Sequence, residues 1–309
     1  MKQRLYQFDI LKGIGIILVM IGHAVPSDGL IHHWIYGFHM PLFFVCSGFF
    51  FKDKPLVVST IKDVKGLLIP WFTFSLFLVA CALFLQFASG GSALAFQPLD
   101  ENCWILYYTI WFLISMFIVR LLYRLLAKCH NSIVINLAVW GGYFLAFLLR
   151  KWDINLPFFV DSSMAMLLFY HAGYCFKSSK AYEKRIPVWT CLCLLLLYTA
   201  FMIGIEPTVN VKENLYPCYL IILSLVPIYA MYQLCCRIES AFLMKCGVAS
   251  LTIMGLHHPL YDVAMCPLMN RLPLPHALEI VMMVAITLCI VMIADKIINK
   301  YAPFLLGKF

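Results

Sequence analysis

The sequence predicts an all-α integral membrane protein of about ten transmembrane helices with both termini cytoplasmic, and three observations lead there. The 309 residues are 63% hydrophobic and only 12% charged, with a mean hydropathy of +0.89. No soluble domain of this length buries so much apolar surface, so lipid is part of the solvent. Apolar stretches close to the roughly 20 residues that a bilayer demands recur at 8–25, 34–51, 67–88, 105–124, 133–149, 157–176, 187–205, 215–235, 247–265 and 277–296. The basic residues are distributed unevenly between the segments that join them.

With the N-terminus inside, the inner side collects Lys2, Arg4, Lys12, Lys52, Lys54, Lys62, Lys65, Arg120, Arg124 and Lys128. It also collects Lys177, Lys180, Lys184, Arg185, Arg237, Lys245, Lys296, Lys300 and Lys308. The outer side has Arg150, Lys151, Lys212 and Arg271, so the 23 basic residues split 19 to 4. That asymmetry is the positive-inside signature. The net charge of +8 is thereby a topological signal and implies no nucleic acid.

The first apolar stretch does not read as a cleaved leader, because it holds Lys12 and His23, lacks a small-residue cleavage site and precedes many more such stretches. The 13 cysteines include no CxxC pair and mostly sit inside apolar segments, where a free thiol behaves as a small hydrophobe. Loops are short, so residues 1–309 read as a single transmembrane domain with no appended soluble domain. The longest outer loop, 89–104, opens Gly/Ser-rich and ends at Asp100 and Glu101. Trp104, Tyr107, Tyr108 and Trp111 cluster beyond it, either as an interfacial aromatic belt or as a platform for sugar rings.

Segment 8–25 keeps three ionisable residues, Asp9, Lys12 and His23. Eleven residues at about 100° each bring His23 to within roughly 20° of Lys12, about 16 Å farther along a helix. One stripe then runs Asp9, Lys12, Ile16, Val19, His23. Lys12 paired with Asp9 fits snorkelling to the inner interface, and His23 alone fits a shallow histidine. Two aligned intramembrane groups point instead to a cavity with work to do. Gly13, Gly15 and Gly22 thin the helix for a neighbour or a ligand.

Segment 34–51 descends from outside with His39 about one turn below its end, near the expected depth of His23. Pro41 is expected to free backbone carbonyls there, and Ser47 with Gly48 forms a second thin patch.

FDILKGIGIILVMIGH (8–23) followed by FHMPLFFVCSGFFF (38–51) resembles the start of the acyltransferase 3 family of membrane O-acyltransferases. The nearer likeness is to its short members related to fucose 4-O-acetylase. KDVKGLLIPWF (62–72), IWFLISMF (110–117) and KCGVASLTIMGLHHP (245–259) agree, so the resemblance spans essentially the whole chain. The family hallmark is a basic residue and a histidine with ten positions between them. Most members have Arg in the first place; this chain has Lys12, with His23 in the second. A lysine supplies a point charge where arginine supplies a planar fork.

The resemblance implies transfer of an acyl group, usually acetyl from acetyl-CoA as co-substrate, to a carbohydrate hydroxyl, with no metal. His23 suits a general base and Lys12 a cation at the mouth of an acyl channel. Asp9, His39, Ser47, Trp111, Asp161 and His257 are candidates for binding substrate or the developing oxyanion. For Asp161 a helix cap is an equal reading. Lys12, Lys62 and Lys65 suit the phosphates of acetyl-CoA, although inner-loop lysines are also what topology requires. The partners implied are a carbohydrate acceptor, lipid-linked or free, and membrane lipid, in a bacterial inner membrane; nothing fixes an oligomeric state. A zinc site at His23, His39, His257 and His258 lacks ligand spacing. A ten-helix transporter or flippase using the same groups as a proton relay is the alternative reading, against which stands the absence of a discernible repeat.

Overall fold

The computed structural model describes residues 5–88, 110–204, 218–269, 272 and 274–309, and among these there is no strand. The protein is a multi-pass membrane protein built of helices. Four of them, Tyr6–Ala24, Leu56–Cys81, Ser132–Lys151 and His276–Tyr301, are long and apolar enough to cross a bilayer, and Val188–Gly204 and Leu223–Cys235 are shorter apolar helices. Large apolar side chains such as Ile133, Leu137, Phe144, Trp189 and Leu196 stand exposed along them. Surfaces of that kind are solvated by hydrocarbon rather than water.

The chain forms two compact units, one of residues 1–56 and 118–250, the other of residues 57–117 and 251–309. The first contains α1 (Tyr6–Ala24), α2 (Leu30–Tyr36) and α3 (His39–Phe49). The second opens with α4 (Leu56–Asp63), which runs through a π turn (Val64–Leu68) into α5 (Ile69–Ala88). Helix α6 (Trp111–Ala127) passes by chain connectivity back to the first unit. That unit continues with α7 (Ser132–Lys151), α8 (Val160–Ser178), α9 (Val188–Gly204), α10 (Cys218–Cys235) and α11 (Ala241–Val248). The remainder of the second unit is α12 (Ser250–Leu260), a π turn (Tyr261–Met265), α13 (Cys266–Met269), α14 (His276–Tyr301) and a short 3₁₀ turn (Pro303–Leu306).

Two reciprocal glycine crossings hold the first unit together. A Cβ on Gly13 would lie 2.1 Å from the Leu243 carbonyl oxygen, and one on Gly247 would lie 1.8 Å from that of Asp9. Helices α1 and α11 therefore touch backbone to backbone. Gly48 and Gly173 repeat the device between α3 and α8, at 1.8 Å from the Tyr170 oxygen and 2.0 Å from the Val45 oxygen. Between helices in lipid no hydrophobic force acts, so close backbone approach supplies the contact. The thin patches expected at Gly13 and at Gly48 are filled by neighbouring helices.

Two expectations need correction. Segment 34–51 is not one helix: it breaks at Gly37 and Phe38, between α2 and α3. Pro41 is then the third residue of α3, and the carbonyl that its missing N–H leaves open by helical spacing is that of Gly37. The break exposes neighbouring carbonyls as well, and each finds a side-chain donor. Tyr198 Oη donates to Trp34 O at 2.8 Å, His39 Nδ1 to Ile35 O at 3.0 Å and Ser224 Oγ to Gly37 O at 2.5 Å. Irregular backbone persists at membrane depth only when satisfied in this way.

The second correction concerns Lys62 and Lys65, which lie within a continuous helix rather than in a loop. Helix α4 buries Ser59 and Asp63 and exposes Val57, Val58 and Ile61. Its buried positions are thus polar, and its exposed ones mix apolar side chains with Lys62. Arg120, grouped by charge counting with the inner-side basic residues, lies within a helix, as segment 105–124 implied. Helix α6 runs on to Ala127, leaving Arg120 about 10 Å before its end. Trp104, Tyr107, Tyr108 and the outer loop lie outside the described residues.

Candidate active site

The helix 1 stripe is occupied at both ends. At the N-terminal end, Lys12 Nζ lies 2.9 Å from Asp9 Oδ1, three residues away on the same helix. The Lys12 side chain keeps 27% of its surface exposed and that of Asp9 keeps 11%. Between the ends the stripe is closed, because Ile16 and Val19 are buried in the core.

At the C-terminal end, His23 occupies the last turn of α1 and is exposed. The sequence stripe put the imidazole far along the helix, and there it meets Tyr36 of α2. Tyr36 Oη lies 3.2 Å from His23 Nδ1. The His32 ring stacks on Tyr36 with centroids 3.8 Å apart, while His32 Nδ1 donates to Gly22 O at 2.9 Å. His39 meets the Tyr36 ring edge-on at 4.6 Å and is buried. Because His39 Nδ1–H is held by the Ile35 carbonyl, its Nε2 carries the lone pair. His23 and His39 thus flank one tyrosine, as their comparable expected depths suggested.

The other candidates are placed elsewhere. Ser47 sits eight residues along α3 from His39, about 12 Å away by helical rise. Its hydroxyl accepts from Arg120 Nε at 2.9 Å. Asp161 is buried at the second position of α8 and pairs with Arg150 at 3.7 Å. The cap position is Phe159 with no side-chain capping bond, so the helix-cap reading of Asp161 is not met. A carboxylate in a first helical turn still suits the helix dipole.

Trp111 and His257 belong to the second unit. Trp111 opens α6, and buried His257 on α12 turns Nδ1 toward the carbonyls of Ile253 and Met254, at 2.9 and 3.0 Å. Lys62 is exposed, and Lys65 Nζ lies 4.8 Å from the centroid of the Phe309 ring, a cation–π contact. An apolar cavity of about 190 Å³ in the first unit is lined by Phe8, Leu11, Val45, Phe176, Ile228 and Tyr232. Its lining has nothing with which to activate a hydroxyl.

Sequence reasoning missed Tyr36, His32 and Arg120. The spacing of His32 and Tyr36, four residues apart on one helical face, was the available signal for two of them. Reading 34–51 as an unbroken helix concealed it.

A family model described as an acyltransferase domain, acyltransferase 3, matches residues 5–295. The chain belongs to that family. The Lys12 and His23 pair, the FHMPLFFVCSGFFF stretch and the later resembling segments all fall within the matched span. Among curated proteins, the nodulation protein NolL of Sinorhizobium fredii (strain NBRC 101917 / NGR234) is 30% identical over 150 residues, 42% of this chain and 41% of the relative. The aligned region therefore spans less than half the length of that relative. No solved structure matches the chain.

Proposed function

We propose that this acyltransferase-family protein is a membrane O-acetyltransferase. It moves an acetyl group from cytoplasmic acetyl-CoA to a hydroxyl of a cell-surface or lipid-linked saccharide. The observation that carries the reading is one helix with a cation near its start and, about 16 Å farther on, an exposed imidazole beside Tyr36, whose ring His39 also touches. The ten-span, single-domain topology with both termini in the cytoplasm, in a bacterial inner membrane, belongs to this proposal. It sets Lys12 toward the cytoplasm and His23 toward the opposite face.

In this reading His23 takes the proton of the acceptor hydroxyl as the new C–O bond forms. It returns that proton to the sulfur as the thioester C–S bond breaks. A neutral imidazole suits both halves of the exchange. Lys12 attracts the anionic donor from the inner side, and Lys62 and Lys65 offer further positive charge to its phosphates. Buried Ile16 and Val19 must part for the pantetheine arm to follow the stripe. Asp9, His39, Ser47, Trp111, Asp161 and His257 remain the candidates for holding the acceptor and the developing negative charge, with His39 the best placed because it shares Tyr36 with His23.

The test uses proteoliposomes of fixed orientation. Labelled acetyl-CoA sealed inside is expected to label a saccharide supplied only outside. Labelling that requires both substrates on the inner side would defeat the crossing arrangement. Solute movement without covalent transfer would defeat the enzymatic reading.

A further inference from the structure

We propose that Tyr36 is the positioning residue for His23, and that His32 holds Tyr36 in place for that task. The inference rests on His23 as the proton acceptor of the proposed transfer. An imidazole that receives a proton at Nε2 must offer Nδ1–H to an acceptor, or its ring is neither oriented nor stabilised when charged. The Tyr36 hydroxyl stands 3.2 Å from His23 Nδ1. A phenol oxygen accepts a hydrogen bond, so it can take the Nδ1–H of the neutral and of the protonated ring alike.

The phenol is itself fixed on three sides. One face is covered by the His32 ring at 3.8 Å, which is anchored by its Nδ1–H to Gly22 O. His39 meets it edge-on, anchored through Nδ1–H to Ile35 O. The third side is α1 itself: a Cβ on Gly22 would come within 3.1 Å of the Tyr36 ring, so glycine lets the ring lie against the helix. The cluster's titratable groups are thus His23 on α1, His32 and Tyr36 on α2 and His39 on α3, with His33 edge-on to His32 at 5.8 Å. A ring anchored in this way serves more than packing, since its hydroxyl is held within hydrogen-bond distance of His23 Nδ1.

The experiment uses the full chain in nanodiscs with two readouts. The first is the rate at which diethyl pyrocarbonate modifies His23 across a pH series, followed by peptide mass spectrometry. It needs no acyl donor. The second is the split of acetyl transfer into kcat and KM. Tyr36→Phe keeps the ring and removes the hydroxyl. It is expected to lower the midpoint of His23 titration by about 0.5–1 pH unit, the equivalent of one hydrogen bond. It is also expected to lower kcat about tenfold while leaving the KM for acetyl-CoA unchanged. His32→Ala leaves the hydroxyl but frees the ring, and is expected to move both quantities in the same direction by less. An unchanged midpoint in both variants overturns the proposal. A shifted midpoint in protein that transfers no acetyl, wild type included, upholds the coupling of Tyr36 to His23 and overturns the acetyltransferase reading.

Discussion

At its N-terminal end α1 meets a neighbour backbone to backbone, whereas at its C-terminal end it meets side chains. Gly13 and Gly247 bring α1 and α11 into direct contact beside the Asp9–Lys12 pair. His23, about three turns away, is exposed and lies beside the hydroxyl and ring of Tyr36. One end leaves no room for an atom, and the other leaves room for a ligand. The same helix therefore serves assembly at one end and, in the proposed reading, chemistry at the other, and a substitution should betray which end it struck.

The largest effect is expected at the open end. His23→Ala should reduce transfer by about 10²–10⁴, the usual worth of general acid–base catalysis, while expression and membrane insertion match wild type. A well-folded variant with near-normal turnover would remove His23 as the base. At the closed end, Gly247→Ala should cost about 1–3 kcal/mol of stability, since the new methyl meets the Asp9 carbonyl with no slack. The measurement is the thermal midpoint of the detergent-solubilised protein. A midpoint equal to that of wild type would mean that the crossing yields easily.

Lys12 sits between these extremes. Lys12→Arg is expected to retain substantial activity, and Lys12→Ala to bind acetyl-CoA about tenfold more weakly. Removing the lysine also strands Asp9, so Asp9→Asn/Lys12→Ala separates the two roles. Unchanged donor affinity in the double variant would make Lys12 a topological residue. The smallest effect is expected at Asp161, paired to Arg150 far along the chain from both ends of α1. Asp161→Asn should leave kcat unchanged. A raised KM for the saccharide acceptor would show that the carboxylate also holds substrate.

Much of the α1 reading was legible because helical arithmetic is local. Eleven residues fix the alignment of Lys12 with His23, three fix that of Asp9 with Lys12, and the glycines announce close approach. The break between α2 and α3 was not legible from hydropathy, because Tyr36–Gly37–Phe38 is as apolar as a continuing helix. What stabilises the break is remote: Tyr198 and Ser224 lie more than 160 residues away. The partner of Arg120 was hidden for a related reason: Ser47 lies on another helix, 73 residues away. Lys62 and Lys65 were placed by counting charges, and the buried polar positions of α4 were visible only once its neighbours were in position.

The crossing of α1 with α11 also sets a waiting time. Helix α1 is finished at Ala24, and its partner begins only at Ala241. At about 5–20 residues per second, the ribosome needs roughly 10–40 s to supply it. Throughout that interval α1 stands in the bilayer without the backbone that will cover Gly13, carrying two charged side chains. Asp9 and Lys12, one turn apart, neutralise each other without help from any later helix. The pair is thus a provision for the nascent chain as much as for the finished enzyme, holding the first helix in lipid until the eleventh arrives.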